Sequence, residues 1–266
     1  MKETVLLTGA KGFVGSNVWE YLSEKSDYNL VCPDGHITED MGGKFDYIVN
    51  FASNSSVEQS IQDPQAVIDN NVSLMTSLLE IARLNPPKLF VQFSTVETQE
   101  ITNPYAASKK AQEDIALAYS RTYGLPVVVI HSTNLIGKGQ GQDKFIPKVI
   151  KQIKAGEPVT IYTVNGEFGK RKYNNVKNVG AAILYLLQNH EYYQSYHELG
   201  VYGGNEVNNL QMAQAIAKLL GKKLSCEFIE ADTIRPNYLM SYNSDQDNVP
   251  TTLVAATLED GLRELL

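Results

Sequence analysis

A glycine turn near the start constrains this chain more than any other feature. Gly9-Ala-Lys-Gly12-Phe-Val-Gly15 follows a short apolar run, Thr4–Thr8, and opens a segment with helical spacing at Val14, Val18, Trp19 and Leu22. Strand, turn and helix in that order make an anion cradle. The first glycine permits a tight turn, the second lets backbone approach a pyrophosphate, and the third lets helix pack on strand. The helix start supplies N–H donors and the positive end of a dipole. The spacing is GxxGxxG, and Gly9, Gly12, Phe13, Val14 and Gly15 become candidate dinucleotide contacts.

The rest of the first half repeats the same alternation. Strands are expected at Asn29–Cys32, Tyr47–Phe51, Leu89–Phe93 and Val127–Ile130, with helices over Val72–Leu84 and Tyr105–Tyr123. Continuous apolar strands between amphipathic helices read as a parallel sheet covered on both faces. The expected fold is α/β: a Rossmann-type doubly wound parallel sheet with a small mixed C-terminal substrate lobe. Residues 1–135 form the dinucleotide-binding part and 136–266 the lobe, partly interleaved with it. In the second part helices are expected at Phe145–Ala155, Val176–Leu187, Asn209–Leu220 and Leu258–Leu265, and strands at Val159–Tyr162 and Tyr196–Leu199.

Charge and composition exclude several classes. Twenty-three Lys and Arg against 30 Asp and Glu give a net charge of −7, so a nucleic-acid partner is not expected. Two cysteines, Cys32 and Cys226, make neither a disulfide framework nor a zinc set. His36, His131, His190 and His197 lack ligand spacing, so no metal is expected. With no 18-residue apolar run and no signal-peptide pattern, a cytoplasmic protein without a membrane contact is the expectation.

Asp34, after the second strand, stands where an acidic residue would hold an adenosine ribose, which leans the cofactor towards NAD. Lys11 beside the turn could instead meet a 2′-phosphate, so NADP stays open. Further on, Tyr105-Ala-Ala-Ser-Lys109 sets a phenol and an ammonium on one helix face. An ammonium near a phenol lowers its pKa and makes it usable as an acid or base. Just upstream, Phe93-Ser94-Thr95 ends a strand with hydroxyls able to bond a substrate oxygen.

With these residues in place the chain resembles the extended short-chain dehydrogenase/reductase family, the nucleotide-sugar epimerases, dehydratases and reductases. Phe51-Ala52-Ser53 is similar to the family's segment along the cofactor, and Asp69-Asn-Asn71-Val72 to its buried-Asn motif. Ser132-Thr-Asn134-Leu-Ile-Gly137 resembles its R-x-x-N-x-Y-G segment, with His131 in place of Arg. The resemblance implies catalysis by Thr95, Tyr105 and Lys109, with hydride transfer at a sugar C4. It implies cofactor contacts from Phe51, Ala52, Ser53, Asn71 and Lys109. Substrate contacts would come from Glu97, Asn134, Arg171 and Arg235, the two arginines meeting the diphosphate. A nucleotide-sugar substrate and a homodimer built on the helices at 72–84 and 105–123 are implied too. The expected activity is a 4-epimerase or 4-ketoreductase; the alternatives are a 4,6-dehydratase or a non-catalytic dinucleotide-binding regulator.

The chain departs from the family's pattern in four places. Ten positions separate Thr95 from Tyr105, where the family carries a longer loop. Val96-Glu97 stands where 4,6-dehydratases carry Asp-Glu, and valine has no proton to donate. The stretch between Asp34 and Asp46 is nearly deleted. Lys170-Arg171-Lys172 is a basic run that reads equally as a phosphate site or a solvated strand edge.

Overall fold

The computed structural model describes residues 2–33, 44–204, 206–230 and 255–266. Asp34, His36 and Arg235 lie outside the described residues.

In chain order the elements begin with β1 (Thr4–Thr8), α1 (Phe13–Lys25), β2 (Asn29–Val31), β3 (Tyr47–Asn50), α2 (Val57–Gln62) and α3 (Pro64–Leu84). Then come β4 (Leu89–Thr95), α4 (Pro104–Tyr123), β5 (Val127–Ser132), β6 (Asn134–Ile136) and α5 (Phe145–Ala155). The chain continues through β7 (Val159–Val164), β8 (Glu167–Phe168), β9 (Lys170–Asn175), α6 (Val176–Gln188) and β10 (Tyr196–Val201). It closes with β11 (Glu206–Asn208), α7 (Asn209–Leu220), β12 (Cys226–Glu230) and α8 (Leu258–Leu265).

Six strands form one parallel sheet in the order β10-β5-β4-β3-β1-β2. Strand order reverses between β1 and β3, and a doubly wound sheet opens its ligand crevice at that reversal, beyond the carboxyl ends of the strands. Both faces are dry, as a parallel sheet requires. On one face Val5, Leu7, Val49 and Val91 pack with Val18 and Leu22 of α1 and Ile183 and Leu187 of α6. On the other, Leu6, Ile48 and Phe90 pack with Met75, Leu78 and Leu79 of α3 and Ala116 of α4. The alternation along β1, odd residues one way and Leu6 the other, is the strand period seen as two cores.

Helix starts follow their caps. Asp63 accepts the Ala66 N–H and Pro64 occupies the first helical position, so α3 begins well before the apolar periodicity at Val72. Asn103 and Pro104 start α4 in the same way, which puts Tyr105 in its first turn.

Two three-stranded sheets, β11-β9-β6 and β12-β7-β8, make the second part. Their core joins Ile146, Val149 and Ile150 of α5 with Ile161, Ile216 and Leu262. Among the described residues no helix is long and apolar enough to cross a membrane.

Candidate active site

Between the two parts, at the carboxyl ends of β1, β3 and β4, lies a cleft of about 2100 Å³. The glycine turn forms one wall. Gly12 N–H donates to Gly9 C=O at 2.9 Å, closing the turn. Gly9 has φ +71°, and a Cβ there would sit 2.6 Å from Ala52 N. A Cβ on Gly15 would lie 2.2 Å from Gly9 O. Backbone therefore fills the space a side chain would take, and α1 starts with no side-chain cap. Its first residues, Phe13, Val14 and Gly15, line the cleft, and the open N–H groups of a helix start suit an anion. Gly9, Gly12, Phe13, Val14 and Gly15 all line the cleft, and so do Phe51, Ala52 and Ser53 opposite them. This cradle fits a dinucleotide pyrophosphate.

Asn71 does not reach the cleft. Fully buried, it accepts from Asn54 N–H at 2.7 Å and from Asn70 Nδ2, and donates to Asn54 C=O and Ser108 Oγ. With its amide consumed by protein, it braces the loop after β3.

Thr95, Glu97, Tyr105 and Lys109 line the cleft next to the turn. Thr95 caps the single 3-10 turn Val96–Gln99 by accepting Glu97 N–H. Its hydroxyl proton is left to donate elsewhere. The short connection from this turn to Asn103 replaces a long loop and sets Tyr105 ten positions after Thr95.

Lys109 is 4% exposed and donates to Phe93 C=O and to Gln112 Oε1, both at 2.7 Å. Burial, only partly countered by Glu113, lowers its pKa to about 8. The Tyr105 phenol is pushed up: by burial first, then by the negative charges of Glu97 and Glu113. This differs from the expectation that Lys109 depresses the phenol. Helical spacing brings the two to one face, but the ammonium turns towards amide and carbonyl acceptors on α4 and β4. Within the protein alone, Tyr105 is a held acid.

Glu97 carries a raised pKa, chiefly through burial, with Asn103, Arg171 and Lys144 pulling the other way. Its Oε2 is buried and has no protein partner. Asn134 and Arg171 line the far side of the cleft, Asn134 exposed on β6 and Arg171 on β9. Arg171 stands on a strand paired on both sides, by β11 and β6.

A family model, the NAD dependent epimerase/dehydratase family, matches residues 5–201. The chain belongs to the NAD dependent epimerase/dehydratase family. Among curated relatives, a low-salt glycan biosynthesis protein of Haloferax volcanii is 27% identical over 85% of this chain and 86% of its own length. A dTDP-glucose 4,6-dehydratase of Streptomyces niveus is 30% identical over 83% of this chain and 68% of that protein. Solved epimerase/dehydratase structures share the fold. A Bacillus cereus UDP-glucuronic acid 4-epimerase, in complex with UDP-glucuronic acid and NAD, superposes with TM-score 0.84 at 20% identity, covering 98% of this chain and 97% of that one. A Streptomyces venezuelae dTDP-glucose 4,6-dehydratase with NAD bound gives 0.83 at 22%, covering 98% and 95%.

Two sets of buried groups near this family's expected site were missed in the sequence. Glu113 Oε1 accepts from Ser94 Oγ and pairs with His131 Nε2 at 3.0 Å, all three buried. Behind Lys109, Asn50, Gln92 and Gln112 form a line of amides. Polar residues inside expected strands and on a helix face were the available signal.

Proposed function

We propose that this protein is an NAD-dependent enzyme acting on a nucleotide sugar, exchanging hydride at the hexose C4 with Tyr105 as the acid/base, and that it works as a 4-epimerase or 4-ketoreductase. One observation carries the reading: Thr95, Tyr105 and Lys109 share a cleft with the glycine turn. A pure binder would have no use for a phenol and a buried ammonium there.

Gly9, Gly12, Phe13, Val14 and Gly15 would hold the pyrophosphate, and Phe51–Ser53 would lie along the dinucleotide. When bound, NAD supplies the hydride acceptor and a positive charge. Tyr105 holds or releases the proton of the C4 oxygen. Thr95 donates its hydroxyl to that same oxygen and orients it. Lys109 has three N–H donors and spends two on Phe93 and Gln112, leaving one for the ribose or the phenol. Arg171 would take the diphosphate and Asn134 a sugar or nucleotide edge. Homodimerisation through α3 and α4 belongs to the same proposal.

A second reading, a 4,6-dehydratase, is supported by Glu97, which lines the cleft with a raised pKa and one carboxylate oxygen, Oε2, left without a protein partner. Val96 counts against it, since the acid partner of such a pair is missing.

Incubation with UDP- and dTDP-glucose, with and without NAD and NADH, separates these readings by product mass. An epimer keeps the mass, a dehydratase product has lost water, and a reductase consumes NADH when supplied with a 4-ketosugar. Tyr105→Phe abolishes each. A chain that neither binds NAD nor turns over any sugar nucleotide refutes the proposal.

A further inference from the structure

Among the described residues no carboxylate is hydrogen-bonded to Lys109. Its ammonium is buried and held by two neutral oxygens, Phe93 C=O and Gln112 Oε1. Everything behind Gln112 fixes which way that amide faces. Thr8 Oγ1 donates to Asn50 Oδ1 at 2.6 Å, and Ala52 N–H donates to the same oxygen at 3.0 Å. Asn50 Nδ2 must then point at Gln92 Oε1, 2.7 Å away. Gln92 Nε2 points at Gln112 Oε1 at 3.2 Å, and Gln112 Nε2 donates to Asn71 C=O at 2.8 Å. Asn50, Gln92 and Gln112 are each completely buried.

The links run head to tail. Reversing any one amide would set donor against donor, at Gln112 an NH2 group against an ammonium. Buried polar lines of this kind are costly unless every member is satisfied, and satisfied they impose one arrangement. The line begins at Thr8, immediately before the glycine turn, and ends at Lys109.

We propose that Gln112 is a positioning residue for Lys109: its amide oxygen, oriented through Gln92, Asn50 and Thr8, holds the ammonium at the cleft wall in register with the dinucleotide turn. The inference rests on the reading of Lys109 as a cofactor-facing group.

With neutral hydrogen-bond acceptors the ammonium's charge is countered only in part, by Glu113, in keeping with a pKa lowered to about 8. The titratable groups around the Lys109–Tyr105 pair are Tyr105 and Glu113 on α4, Glu97 on the turn after β4 and, behind Glu113, His131 on β5. None of them lies on the amide line.

The test is the titration of Lys109 itself, followed by NMR of 13Cε-labelled lysines in the full chain and assigned by the signal lost in Lys109→Met. Gln112→Glu is isosteric and supplies a carboxylate, so the midpoint moves up by about one unit or more, a tenfold change in proton affinity. Gln112→Asn draws the oxygen back, so the charged form loses an acceptor and the midpoint falls. A residue that only fills space would not drive the two variants in opposite directions. If Gln112→Glu does not fold, the fall in Gln112→Asn carries the test. An unmoved midpoint in the folded variants overturns the contact. NAD titration of the Asn variant reads the positioning role: about tenfold weaker binding is expected, and wild-type affinity with a shifted midpoint overturns it. Failure of wild-type protein to bind any dinucleotide refutes the proposed function, while the lysine titration still reports on Gln112.

Discussion

Gly15→Ala sets two opposed effects against each other on α1. Gly15 lies inside the helix, where alanine is favoured over glycine by about 1 kcal/mol. Against this, the new Cβ would lie 2.2 Å from the carbonyl oxygen of Gly9, with Gly9 C at 2.7 Å and Ala10 Cα at 3.0 Å. All three are backbone, so no side chain can swing aside. Reaching an ordinary contact means moving the helix start from the turn by about 1 Å, and overpacking of this sort costs roughly 1–3 kcal/mol. The clash wins by up to about 2 kcal/mol, which for a chain this size lowers the melting temperature by up to about 4 °C. The larger consequence is for binding, because the N–H groups that would hold a pyrophosphate ride on the displaced turn. NAD affinity should fall by tenfold or more. Trp19, the single tryptophan, sits on α1 and offers a fluorescence readout. Gly124→Ala is the control: it has φ +69°, closes α4, and nothing lies within 4 Å of a Cβ there. It should cost about 1 kcal/mol of stability from the left-handed backbone and leave NAD binding intact. Wild-type melting and wild-type NAD affinity in Gly15→Ala would refute the packing argument.

Three further outcomes follow from the same geometry. Tyr105→Phe should melt within about 2 °C of the wild type, because it removes one hydroxyl, yet lose turnover of any sugar nucleotide the protein accepts; retained turnover removes Tyr105 from the chemistry. The folded pKa of Lys109, about 8, lies below its unfolded value of 10.5. Folding therefore carries a penalty below pH 8 that is relieved as pH rises from about 8 to 10.5, worth up to roughly 3 kcal/mol. Urea unfolding at pH 7.5 and pH 10 should show that increment in the wild type, and the increment should be missing in Lys109→Met. Finally, Glu113 is held below its ordinary pKa despite burial, by His131, Ser94 and Lys110. Its contribution is present above about pH 4.5 and fades as pH falls through the lower folded value; Glu113→Gln should cost roughly 1.5–3 kcal/mol in urea unfolding at neutral pH, because the buried hydrogen bonds to Ser94 and His131 lose their charged acceptor.

What the sequence made legible was local. The glycine turn is contained in seven residues, and the strands β1, β3 and β5 are continuous apolar runs, so pattern alone located them. Helix α3 extends further back than its apolar periodicity, because its first turns carry Asp69, Asn70 and Asn71 and the start is set by Asp63 and Pro64, a cap and not a periodicity. Strand β9, Lys-Arg-Lys-Tyr-Asn-Asn, has no strand-like alternation at all. It exists because β6 and β11 pair with it and because Asn174 and Asn175 find partners in Val201 C=O and Thr257 C=O. The Tyr105–Lys109 spacing locates the two side chains but not the acceptors of the ammonium, Phe93 C=O on β4 and Gln112 Oε1 on α4. The amide line was illegible for the same reason: Thr8, Asn50 and Gln92 are separated by 42 residues at each step, and no short window holds two of them.

The outermost strand of the main sheet, β10, arrives late. It lies beside β5 and parallel to it, yet it comes more than sixty residues further along. During synthesis, β5 therefore waits with one edge unpaired while residues 133–195 are made, and α6, which covers Val5, Leu7 and Val49, is likewise still to come. The nascent sheet has to be shielded over that interval, and a fragment cut at residue 135 would keep the whole glycine turn while presenting a bare β5 edge and an uncovered apolar face. Such a fragment should aggregate instead of folding, and dinucleotide binding in this chain is then a property acquired only near residue 201, where the last strand closes the sheet.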